Sequence, residues 1–220
     1  MTKSVISGLI LDFDGTLADS EPAYYQANRN AFRAFGHEID EAEYYIHWSL
    51  HGEGAAGEIA RYGLDIGDVC AVQTLSRKIY QEIVKKDGIR LLPFARELLE
   101  RIPLIGCRTV IASNTSRDLI ETILHDNGVN PIPVAIIGGD GIRPKPDPDI
   151  FIRAREHLAL PASECLILED TDKGVRAARA SGIPFAVIHY RHYPDFHPPD
   201  AVAKFRDLLD FFSFITGHTG

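Results

Sequence analysis

The apolar positions of this chain fall into two kinds of run. Short continuous stretches occur at 5–13, 107–113, 134–137, 165–169 and 184–188. Unbroken apolar character of this length suits parallel strands covered on both faces. Between them, apolar residues recur at three- and four-residue steps and predict helices at about 116–127, 147–158, 172–181 and 201–213. Asp147 and either Thr171 or Asp172 are placed to cap two of these, with Pro148 in a first turn. Strand and helix alternating in this way predict an α/β fold built on a doubly wound parallel sheet.

One stretch breaks the rhythm. From 19 to about 90 the spacing is helical throughout, with Tyr24, Ala27, Ala31 and Phe35 on one face and a second such pattern over 64–84. No buried strand is recognisable there, and the segment is far too long for a structureless loop. The chain therefore predicts a core from 1–18 and 91–220, interrupted by a helical domain at 19–90.

Composition narrows the class. The 220 residues carry 23 Lys and Arg against 31 Asp and Glu, a formal charge of −8. That balance argues against broad nucleic-acid binding, which needs a basic face, but leaves room for a small anion held by a local cluster. Cys70, Cys107 and Cys165 match no metal-ligand spacing and suggest no disulfide framework. The first apolar run follows a lone Lys3 and ends in acids rather than at a small-residue cleavage site. No stretch approaches the ~20 apolar residues of a membrane span. The expected compartment is the cytoplasm, with no membrane association and no obligate protein partner evident.

In an open parallel sheet, ligands bind beyond the carboxyl ends of the strands. The first strand ends in LDFDGTL, which places Asp12 and Asp14 there, with Gly15 allowing a tight turn and Thr16 behind it. The second ends in Ser113-Asn114, Lys145 follows the third among prolines, and the fourth ends in Glu169-Asp170. Each feature alone has an ordinary reading as turn, surface charge or helix cap; together they converge on one rim. Two carboxylates about 4 Å apart repel by about 4 kcal/mol at an effective dielectric near 20. Asp12, Asp14, Glu169 and Asp170 thus call for a cation between them, and hard oxygen ligands suit Mg²⁺. A metal and a lysine in one acidic crevice form a receptor for phosphate.

These stretches, DFDGTL, SN, KPDPDIF and LEDT with Gly174, resemble the motifs of the haloacid dehalogenase superfamily. More narrowly, the chain is similar to the subgroup with an inserted helical cap, which includes phosphoglycolate phosphatases and beta-phosphoglucomutases. The resemblance implies a Rossmann-like core and a Mg²⁺-dependent phosphatase acting on a small phosphorylated metabolite. It implies that Asp12 is the nucleophile and forms an aspartyl-phosphate, and that Asp14 is the acid and base. Ser113 and Lys145 would hold the phosphoryl oxygens, with Gly15, Thr16 and Asn114 lining the same site. Asp12, the Asp14 carbonyl, Glu169 and Asp170 would serve the metal.

The same resemblance separates neighbouring chemistries. Dehalogenases proper need neither Asp14 nor a metal, and phosphonatases need a cap lysine, whereas no lysine lies between Lys3 and Lys78. Sugar-phosphate mutases place a histidine where Tyr24 stands and an arginine in a cap loop. The comparable loop here, HWSLHGEGAAGE, has no arginine, although His51, His47 or Trp48 could touch substrate. Hydrolysis is thus expected over mutase chemistry. Phe94 stands where the family usually has glycine, and Thr171 replaces the commoner serine. A phosphoreceiver domain or an inactive phosphate-binding module is the reading of another class; a receiver would lack the helical insert.

Overall fold

The five continuous apolar runs become five of the six parallel strands in the computed structural model, which describes residues 6–217. The six are β1 (Gly8–Leu11), β2 (Arg108–Ala112), β3 (Ala135–Ile137), β4 (Cys165–Glu169), β5 (Phe185–Ile188) and β6 (Lys204–Phe205). The order across the sheet is β3-β2-β1-β4-β5-β6. Every residue of β1, β4 and β5 is buried, as expected of parallel strands covered on both sides. β1 is narrower than the expected 5–13 run, and Val5 lies outside the described residues. Leu9 sits in register with Thr109 on one side and Leu166 on the other. The chain thus winds in opposite directions from β1, and the carboxyl ends of β1 and β4 border the resulting crevice.

The chain divides into two compact units, Ser20–Ile89 and the remainder. Asp19 and Arg90 belong to the sheet-bearing unit because the Asp19 amide donates to the Arg90 carbonyl at 2.9 Å. Two residues further in, Leu92 N donates to Leu17 O at 2.8 Å.

The helical unit contains α1 (Glu21–Arg33), the single turn α2 (Glu41–Glu43), a π-helical stretch Tyr44–Leu50, α3 (Gly54–Tyr62) and α4 (Val69–Asp87). Ala23, Ala27, Ala31 and Phe32 form the buried face of α1, packed with Val72, Tyr80 and Val84 of α4. Small residues on α1 allow close approach, and the Tyr24 and Tyr80 rings stack with centroids 3.8 Å apart. Phe35 does not extend this face: α1 ends at Arg33, and Phe35 is 43% exposed. Helix α4 begins five residues later than the pattern suggests, because Asp68 caps it by accepting from Cys70 N at 2.8 Å. Glu58, almost fully buried, takes hydrogen bonds from Trp48 and Arg61 and pairs with His37. Those three donors compensate the desolvation of its charge.

Around the sheet lie α5 (Ala95–Arg101), α6 (Arg117–Asp126), α7 (Asp149–Leu158), α8 (Asp172–Ser181) and α9 (Leu208–Ile215). Ile150, Phe151 and Ala154 of α7 join Val175 and Ala178 of α8 against Ile10, Val110 and Ile167. Each isoleucine, valine and phenylalanine side chain so enclosed contributes roughly 1.5–3 kcal/mol. Helix α5 packs with α9.

Two local expectations need correction, and one open choice of cap is resolved. The predicted helix at 201–213 starts only at Leu208, where Asp207 accepts from Asp210 N at 2.8 Å. The residues before it instead add β6 to the sheet edge through pairing of Val187 with Lys204. Asp147 lies one residue ahead of the α7 cap, which falls on Pro148, and only accepts from Asp149 N at 3.3 Å. Thr171, not Asp172, caps α8, its hydroxyl accepting from Gly174 N at 3.2 Å.

Phe94 adopts φ 68, the left-handed backbone that glycine takes freely. A side chain there costs about 1–2 kcal/mol. Contacts of its ring with Phe212 and with the Arg101 guanidinium offset part of that cost. Among the described residues no helix is long and apolar enough to cross a membrane.

Candidate active site

The carboxyl ends of β1, β2 and β4 and the loop after β3 bring four acids, a lysine and several hydroxyls together. Asp12 follows β1 directly, its amide donating to Leu168 O at 3.0 Å, which ties it to the end of β4. Lys145 Nζ lies 2.5 Å from Asp12 Oδ1 and 2.8 Å from Glu169 Oε1. The lysine is itself buried, with its ammonium 4.6 Å from the centre of the Phe151 ring. Its backbone is fixed by Asn114, whose Oδ1 accepts from Lys145 N at 2.9 Å.

Glu169 is held on its other oxygen. Oε2 accepts from Asp170 N, Thr171 N and Thr171 Oγ1, all at 2.9 Å. The next residue, Asp170, is fully buried, and its Oδ1 accepts from Thr16 Oγ1 at 3.0 Å. The carboxylate oxygens of Asp12, Glu169 and Asp170 lie within 4.8 Å of one another. Asp14 stands beside this group and turns its Oδ2 to Ser113 Oγ at 2.8 Å and Thr115 Oγ1 at 2.7 Å.

Two glycines make this crowding possible. At Gly15, φ +78 turns the chain, and a Cβ would run into the Asp170 carboxylate. At Gly174, in the first turn of α8, a Cβ would overlap the Glu169 carboxylate. Gly174→Ala is therefore expected to cost about 1–3 kcal/mol through overpacking. At roughly 2–4 °C per kcal/mol for a chain of this size, thermal unfolding should show the loss clearly.

The charges do not balance. Asp12, Glu169 and Asp170 with Lys145 carry a formal −2 in a space nearly closed to water. Burial pushes the Asp12 carboxyl up to about 7 although Lys145 pulls the other way, and Glu169 and Asp14 push it further. Burial would also raise Glu169, but Lys145 and the Thr171 donors hold it below the ordinary carboxylate value. Burial opposes the charge on Lys145, and the two carboxylates overcome it, so its ammonium is held above the usual lysine value. A set of hard oxygen donors with surplus negative charge fits Mg²⁺.

The strand-end residues expected from sequence, Asp12, Asp14, Gly15, Thr16, Ser113, Asn114, Lys145, Glu169 and Asp170, thus converge in the sheet-bearing unit. His51 belongs to the helical unit, exposed at the end of the π-helical stretch. Two contributors escape a motif reading. Thr115 adjoins Ser113-Asn114, and its place three residues past the end of β2 could have marked it. Tyr193 donates from Oη to Asp170 Oδ2 at 2.8 Å, and nothing in the surrounding RHYPDF marks it.

A sheet of this order with acids at these strand ends defines a class of phosphate-handling α/β enzymes, and sequence comparison resolves it further. The profile of haloacid dehalogenase-like hydrolases matches residues 6–182, and the chain belongs to that family. Protein CbbY of Rhodobacter capsulatus is 30% identical over 188 residues, covering 81% of this chain and 83% of that one. Phosphoglycolate phosphatase of the same organism is 29% identical over 223 residues, covering 96% and 97%. The crystal structure of CbbY from Rhodobacter sphaeroides in complex with phosphate superposes with a TM-score of 0.76 at 24% identity, covering 94% and 96%. The chain is an enzyme, a hydrolase with relatives named phosphatases, and the phosphoreceiver reading is set aside.

Proposed function

We propose that the protein is a Mg²⁺-dependent phosphatase of a small phosphorylated metabolite, of sugar-phosphate or phosphoglycolate type, working through an aspartyl-phosphate. One observation carries this reading: three buried carboxylates cluster around a single lysine that pairs with two of them, and they retain negative charge beside a fourth acid poised by hydroxyls. The relatives named above support the substrate class, one being a phosphoglycolate phosphatase and another having been crystallised with phosphate. In the same reading the helical unit is the cap domain of the family.

Asp12, Glu169 and Asp170, with the backbone carbonyl of Asp14, would hold the metal. When bound, Mg²⁺ supplies positive charge to the phosphoryl oxygens and lowers the cost of bringing an anion to an acidic cluster.

The chain's own groups do the rest. Asp12 attacks phosphorus through a carboxylate oxygen as the bond to the leaving alkoxide breaks. Asp14 gives that alkoxide its proton, then takes one from the water that attacks the aspartyl-phosphate, which restores both residues. Ser113 and Thr115 aim the Asp14 carboxylate before substrate arrives. Lys145 offers a donor to the phosphoryl oxygens, and Ser113 turns its single proton from Asp14 to them once substrate is bound. Asn114 acts through the backbone of Lys145, and Thr16 acts through Asp170.

Asp14→Asn tests the assignment. Phosphate release is expected to fall by about 10²–10⁴-fold, the usual worth of general acid–base catalysis, in both formation and breakdown of the phosphoenzyme. Mg²⁺ affinity should hardly change, because the backbone carbonyl survives. Single-turnover kinetics with calorimetric titration of Mg²⁺ checks both, and a variant that no longer binds Mg²⁺ contradicts the role.

A further inference from the structure

We infer that Tyr193 is a positioning residue for the acidic cluster: its phenol sets the orientation of the Asp170 carboxylate. The inference rests on the metal reading above and extends it to a loop outside the four strand-end stretches. The terminal torsion of an aspartate is broad and nearly two-fold, so the direction of its oxygens has to be set by its neighbours. Here the two oxygens are gripped separately, Oδ1 by Thr16 Oγ1 at 3.0 Å and Oδ2 by Tyr193 Oη at 2.8 Å. Held at both ends, the carboxylate plane cannot rotate without breaking a buried hydrogen bond.

The donor type matters as much as the geometry. A carboxylate oxygen has two lone-pair directions, and a hydroxyl occupies one of them while adding no net charge. An ammonium in its place would fix the side chain equally well but cancel the charge a divalent cation needs. Asp170 is oriented by neutral hydroxyls, whereas Lys145 is directed to Asp12 and Glu169.

Tyr193 is itself held for this task. Its side chain is almost wholly buried, its ring lies 5.1 Å from that of Tyr190, and its amide donates to Tyr190 O at 3.2 Å. Tyr190 Oη and the Arg191 guanidinium both bond to Asp19 at 3.4 and 3.1 Å, and Lys204 Nζ grips Pro194 O at 2.7 Å on the other side. The loop is pinned before and after the tyrosine, so the phenol arrives at Asp170 from a rigid base. A phenylalanine would satisfy the packing; only the hydroxyl reaches the cluster.

The test is calorimetric titration of the full chain with Mg²⁺ alone, comparing wild type, Tyr193→Phe, Tyr190→Phe and Asp170→Asn. Tyr193→Phe is expected to weaken Mg²⁺ binding by about 10-fold or more, as loss of outer partners of metal ligands does. Tyr190→Phe keeps the ring against Tyr193 and leaves Arg191 on Asp19 to hold the loop, so it should weaken binding far less than Tyr193→Phe. Phosphate release from p-nitrophenyl phosphate should need correspondingly more Mg²⁺ for half-activation in Tyr193→Phe, with kcat at saturating Mg²⁺ largely kept. A purely structural role would lower the unfolding temperature and leave the Mg²⁺ dependence alone. Binding lost in Asp170→Asn but unchanged in Tyr193→Phe overturns the positioning role and leaves the metal reading standing. A wild type that binds no Mg²⁺ overturns both. Should the Phe variant fail to fold, Tyr193→Met fills the space without a donor and is read in the same way.

Discussion

Asp12→Asn is expected to lower phosphate release by on the order of 10⁴-fold or more, because it removes the group proposed above as nucleophile and not merely an orienting contact. No phosphoenzyme should accumulate on mixing with substrate, which acid-quench trapping of labelled phosphate would reveal. The fold should survive. Asparagine has the same shape, Lys145 keeps its bond to Glu169, and one of the mutually repelling carboxylates is gone.

The same substitution has a signature in stability. The Asp12 carboxyl is raised from 3.8 to about 7 in the folded chain, chiefly by burial. Between those values the folded state holds a proton that the unfolded chain has released, so metal-free stability falls as pH rises from about 4 to about 7. Below that window both states are protonated at this site, and above it both are ionised. Urea unfolding in the presence of a chelator, across this range, should show the decline in wild type and a flatter profile in Asp12→Asn. A profile unaltered by the substitution would remove Asp12 as its source. Mg²⁺ should restore much of the wild-type stability at neutral pH by binding the folded state alone.

Lys145→Met is expected to cost about 3–5 kcal/mol in metal-free protein, since it leaves buried carboxylates without their internal cation. Methionine preserves the stem that runs toward Phe151, so the loss reports charge rather than volume. The unfolding temperature should drop by roughly 6–20 °C. Phosphate release should fall by about 10²–10³-fold as a charged donor to the transferring group disappears. Added Mg²⁺ should recover stability more than activity, because a cation between the carboxylates replaces the lysine's charge but not its hydrogen bond to the phosphoryl oxygen. Recovery of activity in step with stability would show that Lys145 serves the cluster alone.

What could be read from the chain alone follows from the range of the interactions involved. Strands β2, β4 and β5 appear within about a residue of their apolar runs, because burial on both faces leaves a one-dimensional signal. The acids at strand ends are legible for the same reason, since a parallel sheet sends every carboxyl end to one rim. Edge strand β6 has only two residues and owes its existence to the free side of β5, so its periodicity passes for helix. The left-handed turn at Phe94 is imposed by the surrounding chain against local preference, and no propensity announces it. Tyr193 is harder still. Its link to Asp170 spans the whole crossover from β4 to β5, and an aromatic residue in a proline-rich loop reads as packing until the hydroxyl's partner is seen.

The juncture at Asp19 and Arg90 bears on modularity. Where the polypeptide leaves the sheet and where it rejoins are one hydrogen bond apart, with Leu17 and Leu92 paired just behind. Seventy intervening residues are thus topologically a side branch whose length the strands never register. Swapping, lengthening or pruning that branch would leave the strand ends and the acids on their rim where they are.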